Sequence, residues 1–271
     1  MIDPCSCEIS LKANAGFLLV ISIELLRHYR ALSQRSLTVV DVETTGRYAY
    51  AHRITELSVL SATPDGEITQ QQTDLVNPQV RIPPFISNFT GITQTMLDAA
   101  PLTAEVLPRY LLQLNDGVLT AHNLEFDYAF LQTEYARIGV KYIRPETEQL
   151  CTLELARLML PDLPSRSLPN LVQHFGFNVG RSHRAEADTI ACWLLARRLL
   201  NELNQEDDEV LLKRFAHQWL PLRIVADMLG CSLRKAQAQA EAAGIESRST
   251  VKKPMYQRGD IERLISVLQQ S

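Results

Sequence analysis

The sequence predicts an α/β fold in which a mixed β-sheet is covered by helices, followed by a small, mostly helical C-terminal domain. Short β-branched runs at 37–43, 54–61 and 68–76, each bounded by turn residues, give the strands. Amphipathic stretches then alternate with one apolar run at 118–121, which gives the interleaved helices of an α/β layer. A polar, acidic run, Asn204-Gln205-Glu206-Asp207-Asp208-Glu209, separates this region from a basic tail. With 271 residues, 46% hydrophobic and 21% charged, the chain is globular and long enough for about two bodies, which excludes low-complexity or fibrous function.

Residues 1–35 form an N-terminal helical extension. Over 17–32, Leu18, Ile21, Leu25, Leu26 and Tyr29 fall on one side and Glu24, Arg27 and Arg30 on the other. That stripe suits a docking helix, with a membrane-surface or partner-binding helix as the alternative. The apolar run at 15–23 is too short to span a bilayer, follows Asp3 and Glu8, and ends at Glu24, so neither a signal peptide nor a membrane segment is expected. The cysteines (Cys5, Cys7, Cys151, Cys192 and Cys231) are odd in number and scattered, which indicates neither a disulfide framework nor a zinc site and points to a reducing, cytoplasmic setting.

Residues 36–203 form the main domain. The three early strands read as an antiparallel meander, and helices are expected at 103–114, 126–138, 148–159, 168–175 and 185–203. Residues 204–210 read as an acidic linker and 211–271 as a separate module. In that module, helices at 223–229 and 233–243 flank Gly230-Cys231-Ser232, with Ser232 as N-cap, Lys252-Lys253-Pro254 as a basic wing, and Asp260 capping a last helix. The formal charge of −4 is divided unevenly. Residues 211–271 hold 10 Lys and Arg against 5 Asp and Glu, while the rest holds 17 against 26. An acidic body argues for carboxylates that hold cations, and a basic tail for an anionic partner.

The candidate chemistry rests on acids in apolar settings. The two-residue period of a strand puts Asp41 and Glu43 on one face of Leu37-Thr38-Val39-Val40-Asp41-Val42-Glu43. Paired anions there require a shared proton or a cation, unless the strand end turns to water. Asp127 follows His122-Asn123-Leu124-Glu125-Phe126 in the first turn of a helix, where an acid commonly serves the helix dipole. Asn123 and Phe126 beside it suit a nucleotide. Asp188 shares a helical stripe with Ala191, Cys192, Leu195 and Leu199, so its carboxylate faces apolar neighbours and needs a metal or a cationic partner. His183 lies in the loop before that helix, a candidate base beside the acids.

Together VDVETTG, AHNLEFDYAFL and SHRAEAD, in that order, resemble the D-x-E-T-T-G, H-N-x-x-F-D and H-x-x-x-x-D segments of the DEDDh branch of the DnaQ-like 3′-to-5′ exonucleases. The likeness covers about residues 36–203, including FTGIT at 89–93 and LELARLMLPDLPSRSLPNL at 153–171. It implies a five-stranded ribonuclease H-like sheet and release of nucleoside 5′-monophosphates. It also implies two Mg²⁺ or Mn²⁺ ions on Asp41, Glu43, Asp127 and Asp188. Asp41 would bridge them, Glu43 and Asp188 would serve the first, and Asp127 the second, largely through water. His183 would take the proton from the attacking water. Thr44, Thr45 and Phe126 would line the substrate groove, supported by Asn123. Thr90, where many proofreading subunits carry histidine, is similar to exonuclease modules inside some Gram-positive replicative polymerases or joined to helicases.

The tail resembles a winged helix-turn-helix of the excisionase or MerR kind, which implies DNA contacts from Arg234, Lys235, Lys252 and Lys253; the alternative is a protein-binding module. The expected function is thus a metal-dependent exonuclease acting on single-stranded or frayed DNA 3′ ends, with DNA favoured over RNA. A DNA polymerase or another replication or repair protein is a candidate partner. The alternatives are an exoribonuclease of the same branch, or a polymerase accessory or DNA-binding protein whose nuclease is secondary.

Overall fold

The computed structural model describes residues 21–180, 183–250 and 253–270. The start of the expected N-terminal helix, Arg181, Ser182 and Lys252 lie outside the described residues. The chain divides into two compact units. One comprises Ala31–Leu155 and Pro164–Asn201; the other comprises Met1–Arg30, Ala156–Leu163 and Glu202–Ser271.

Helix α1 (Ser22–Ser33) precedes the sheet of the first unit. That sheet has the order β3-β2-β1-β4-β5, from β1 (Leu37–Thr44), β2 (Ile54–Ala62), β3 (Ile68–Leu75), β4 (Val118–Ala121) and β5 (Gln149–Cys151). The expected meander is present: β1 pairs antiparallel with β2 and β2 with β3. On the other side β1 pairs parallel with β4, and β4 with β5. Between strands run α2 (Pro84–Thr90), α3 (Gln94–Asp98), α4 (Thr103–Leu114) and α5 (Leu124–Arg137). After β5 come α6 (Thr152–Met159), α7 (Leu168–Phe175) and α8 (Ala185–Gln205).

Val40 and Val42 of β1 pack in one core cluster with Leu107 and Tyr110 of α4 and Tyr128 and Leu131 of α5. Each such fully buried side chain contributes about 1.5–3 kcal/mol. The parallel pairing of β1 with β4 runs only from Leu37–Val118 to Val39–Thr120. Beyond it the outer half of β1 has one edge without a strand partner, and the acidic residues lie there.

The single helix expected at 148–159 is corrected. Residues Glu146–Glu148 form a 3-10 turn, Gln149–Cys151 pair with β4, and the helix starts at Thr152. Leu150 is buried beside Thr120, and three residues are too few to show a period that would separate strand from helix.

The second unit continues with α9 (Asp208–Ala216), β6 (Trp219–Pro221), α10 (Leu222–Met228), α11 (Leu233–Ala242), β7 (Arg248–Thr250), β8 (Lys253–Gln257) and α12 (Arg258–Gln269). Its small sheet has the order β6-β8-β7, all antiparallel. Ser22 of α1 donates through its backbone N and its hydroxyl to Glu262, both at 2.8 Å. The acidic run at 204–210 is not an extended linker, because α8 continues to Gln205 and α9 starts at Asp208. Arg30 explains this: it donates to the carbonyls of Leu203 (2.9 Å) and Glu206 (3.1 Å) and pairs with Asp208 (2.5 Å), satisfying acceptors at the helix end. Asp260 is not the cap of α12. Gln257 occupies that position, and Asp260 lies in the first turn paired with Arg263. No described helix is long and apolar enough to cross a membrane.

Candidate active site

Strand alternation sends Val40 and Val42 into the core and leaves Asp41 and Glu43 on the opposite face, half-buried. The first turn of α8 brings Asp188 to the same place. Asp41, Glu43 and Asp188 each offer one carboxylate oxygen, and all lie within 4.8 Å of one another. Burial, then the charges of Asp188 and Glu56, push Glu43 up to about 8, against the opposing pull of Arg184. Asp41 is raised well above the usual carboxylate range, first by burial and then by Asp127, Asp188, Glu43 and Glu56.

Asp127 stands outside this trio. It is buried, and its Oδ1 accepts from the backbone N–H of Val42 at 3.1 Å. Val42 lies where β4 no longer pairs with β1, so the carboxylate serves an amide that a strand would otherwise bond. Burial raises the Asp127 pKa, and that hydrogen bond opposes the rise. Asn123, left-handed at φ 76°, turns the chain from β4 into α5; its side chain is exposed and makes no cap bond.

The donor set is all oxygen, from carboxylates that oppose one another's ionisation. A hard divalent cation fits such a set, because it replaces the shared protons and removes the like-charge repulsion. Transition metals that favour thiolate or imidazole fit it less well.

His183 takes a positive φ of 65°, and its backbone N donates to Asp188 Oδ2 at 2.9 Å. Its ring lies on Phe89, with centroids 3.8 Å apart and planes tilted by 32°. Phe126 is half-buried and packs on Phe130 at 4.9 Å. Thr44 and Thr45 are both buried. The Thr44 hydroxyl donates to the Gly46 carbonyl (2.7 Å), and that of Thr45 accepts from Arg53 N (3.1 Å). Both hydroxyls brace the turn after β1.

The exonuclease family RNase_T matches residues 38–195, a span that contains every one of these side chains. The chain belongs to the DnaQ-like exonuclease family. The chain is 35% identical over 167 residues to the DNA polymerase III subunit epsilon of Aquifex aeolicus, covering 61% of this chain and 80% of that one. It is 32% identical over 170 residues to the PolC-type DNA polymerase III of Clostridium perfringens, covering 63% of this chain but only 12% of the polymerase. Among solved structures, exonuclease X in complex with 5′ overhanging duplex DNA is 25% identical with a TM-score of 0.50, covering 66% of this chain and 99% of that one. E. coli exonuclease I bound to an oligonucleotide shares the fold at a TM-score of 0.56 and 18% identity, over 66% of this chain and 45% of the other.

Thr90 is 1% exposed; its hydroxyl donates to the Ile86 carbonyl (3.0 Å) and accepts from Ile92 N (3.1 Å). Its work is to close α2.

Two charged groups escaped the sequence reading. Glu56 of β2, directly opposite Glu43, is 1% exposed. It pairs with Arg184 at 2.6 Å and accepts from Ala185 N at 2.9 Å, holding the start of α8 against the sheet. Its signal was the one that exposed Asp41 and Glu43, an acid inside an apolar strand. The other is Glu134, fully buried, which takes Arg53 (2.7 Å) and Arg137 (2.8 Å). Arg137 also donates to the carbonyls of Ala49 and His52, both at 3.1 Å, and so fixes the loop between β1 and β2.

Proposed function

We propose that residues 36–203 form a divalent-metal-dependent 3′-to-5′ exonuclease that shortens DNA from single-stranded or frayed 3′ ends and releases nucleoside 5′-monophosphates. The observation that carries this reading is the trio Asp41, Glu43 and Asp188 within 4.8 Å, with Asp41 and Glu43 driven away from ionisation. The likeness to polymerase III epsilon and to a DNA-bound exonuclease X supports DNA as the substrate.

In this reading Asp41, Glu43 and Asp188 hold one Mg²⁺ or Mn²⁺, and Asp41 with Asp127 holds a second. When bound, the ions supply Lewis-acid stabilisation of the phosphate and of the departing 3′-oxygen. His183 accepts the proton of the attacking water, an assignment supported by its place beside Asp188. Asn123 and Phe126 flank the terminal nucleotide. Thr44 and Thr45, at the turn they brace, line the substrate groove.

A 5′-labelled single-stranded oligodeoxynucleotide will shorten as a ladder with Mg²⁺ and stay intact with chelator. Degradation that persists in chelator rejects the metal, and a single internal cut rejects the exonuclease reading. Matched RNA will be degraded more slowly; an RNA rate equal to or above the DNA rate moves the enzyme to the exoribonucleases.

Phe89→Ala removes the ring on which His183 rests. Phe89 is 55% exposed, so the fold is retained. The expected result is a fall in kcat of roughly tenfold with little change in KM, the mark of a misplaced group and not of lost binding. Steady-state kinetics on a defined oligonucleotide check it.

A further inference from the structure

We propose that α11 and the β7–β8 hairpin form a second nucleic-acid site, one that reads duplex DNA through its major groove and needs no free 3′ end. The four residues 229–232 join α10 to α11, with Gly230 left-handed at φ 61° and the Ser232 hydroxyl accepting from Lys235 N at 3.4 Å. Ala236 and Ala240 bury one side of α11 in a cluster with Val225, Ala226, Tyr256 and Ile261. These small residues seat α11 closely on α10 and leave its other side outward. Two short helices joined by a tight glycine turn, here followed in the chain by the β7–β8 hairpin whose β8 packs on α10, are the geometry by which a helix enters the major groove.

The occupant follows from charge and residue type. Within this unit, Lys213 pairs with Glu209, Arg214 with Glu202, Arg258 with Glu262 and Arg263 with Asp260. Arg223, Arg234, Lys235 and Arg248 are exposed and form no ion pair among the described residues. Among these described residues, the cations without acidic partners are thus those on the helix pair and on β7. Arg248 is held over the Trp219 ring at 5.8 Å, which fixes a cation on β7.

Along α11 the exposed stripe is Arg234, Gln237, Ala238 and Glu241, at helical spacings of three, four and seven. Arginine and glutamine are the side chains that read guanine and adenine edges bidentately, and a glutamate accepts from cytosine. Gln237 donates to Glu241 at 2.9 Å, which orders the stripe. Ala238 in its middle allows close approach. Leu233 is exposed at the start of α11, but the middle of the stripe is Gln237 and Ala238, not the large apolar anchor on which a protein-binding face centres. An RNA duplex is excluded by its deep, narrow major groove.

The test uses the full chain in chelator, so that no cleavage occurs, and a covalently closed dumbbell duplex of about 30 base pairs that has no 3′ end. Fluorescence anisotropy across about 50 to 200 mM salt should show binding with a steep salt dependence. Arg234→Gln with Lys235→Gln, both exposed, should lower affinity by about tenfold or more and flatten the salt slope by roughly two, at ~0.9 per phosphate contact. The same double variant should degrade a short single strand at the wild-type rate with Mg²⁺. The proposal is overturned if the wild-type chain does not bind the dumbbell or if an RNA dumbbell binds equally well. It is also overturned if the double variant keeps its affinity and salt slope; the face then belongs to a protein partner. Because binding is read without catalysis, its failure leaves the exonuclease assignment standing, and an inactive nuclease leaves this one standing.

Discussion

Asp41→Asn will abolish nuclease activity and raise the thermal stability of the metal-free protein. Asp41 sits at the meeting point of the cluster, with its ionisation opposed by burial and by Asp127, Asp188, Glu43 and Glu56. Asparagine keeps the shape and removes the charge. Loss of the central ligand should lower kcat/KM at least about a thousandfold, about 4 kcal/mol at ~1.4 kcal/mol per tenfold. The stability change has the opposite sign because a buried like-charge repulsion is relieved. Wild-type protein should show a matching pH dependence. The folded state holds the Glu43 proton up to about 8, whereas the unfolded chain releases it near 4.5. The folded state therefore binds more protons across that window, and metal-free stability falls as pH rises through it. Excess Mg²⁺ should raise Tm more at the top of the window than at the bottom. Thermal melts of both proteins, with chelator and with Mg²⁺, read all of this. A metal-free Asp41→Asn protein that melts below wild type at pH 8 would refute the electrostatic account of the cluster.

Arg53→Ala is expected to destabilise the protein by about 3 kcal/mol, since removing one partner leaves a buried charge under-compensated. Its guanidinium bonds both oxygens of fully buried Glu134 (2.7 and 3.1 Å), the Pro78 carbonyl (3.0 Å) and the Thr103 hydroxyl (3.2 Å). Arg137 keeps a bond to Glu134, which holds the loss below that of a fully orphaned carboxylate. The effect should reach catalysis, because the backbone of Arg53 is tied to Thr45, two residues past Glu43. Denaturant melts measure the first effect and nuclease rates the second. Arg53→Ala combined with Glu134→Leu should recover much of the stability, because no buried charge then remains.

The strand that carries Asp41 and Glu43 was legible because these acids break an apolar run at a spacing of two, a pattern that only a strand turns into a shared face. Helices α4 and α7 match their expected limits, since a 3.6-residue stripe over eight or more residues is a strong signal. Strand β5 was hidden by its length of three residues. Its place is set by the parallel register with β4, a tertiary fact. Glu56 and Arg184 are 128 residues apart, and nothing local announces that they meet. Asp127 was legible as an acid near a helix start, but not its bond to Val42, which depends on where β4 ends. The turn that Thr44-Thr45-Gly46 signals is present, but its closing bond from Arg53 N to the Thr45 hydroxyl comes from the residue before the next strand and has no local signal.

The bond between Asp127 and Val42 makes one main-chain amide a witness to the state of the Asp127 carboxylate beside the acidic trio. The N–H of Val42 has a carboxylate as its acceptor, so its resonance should move whenever Asp127 gains a proton or shares its electrons with a cation. A titration followed at that single nitrogen would report occupancy on Asp127 separately from events at Glu43 and Asp188, without any substrate present.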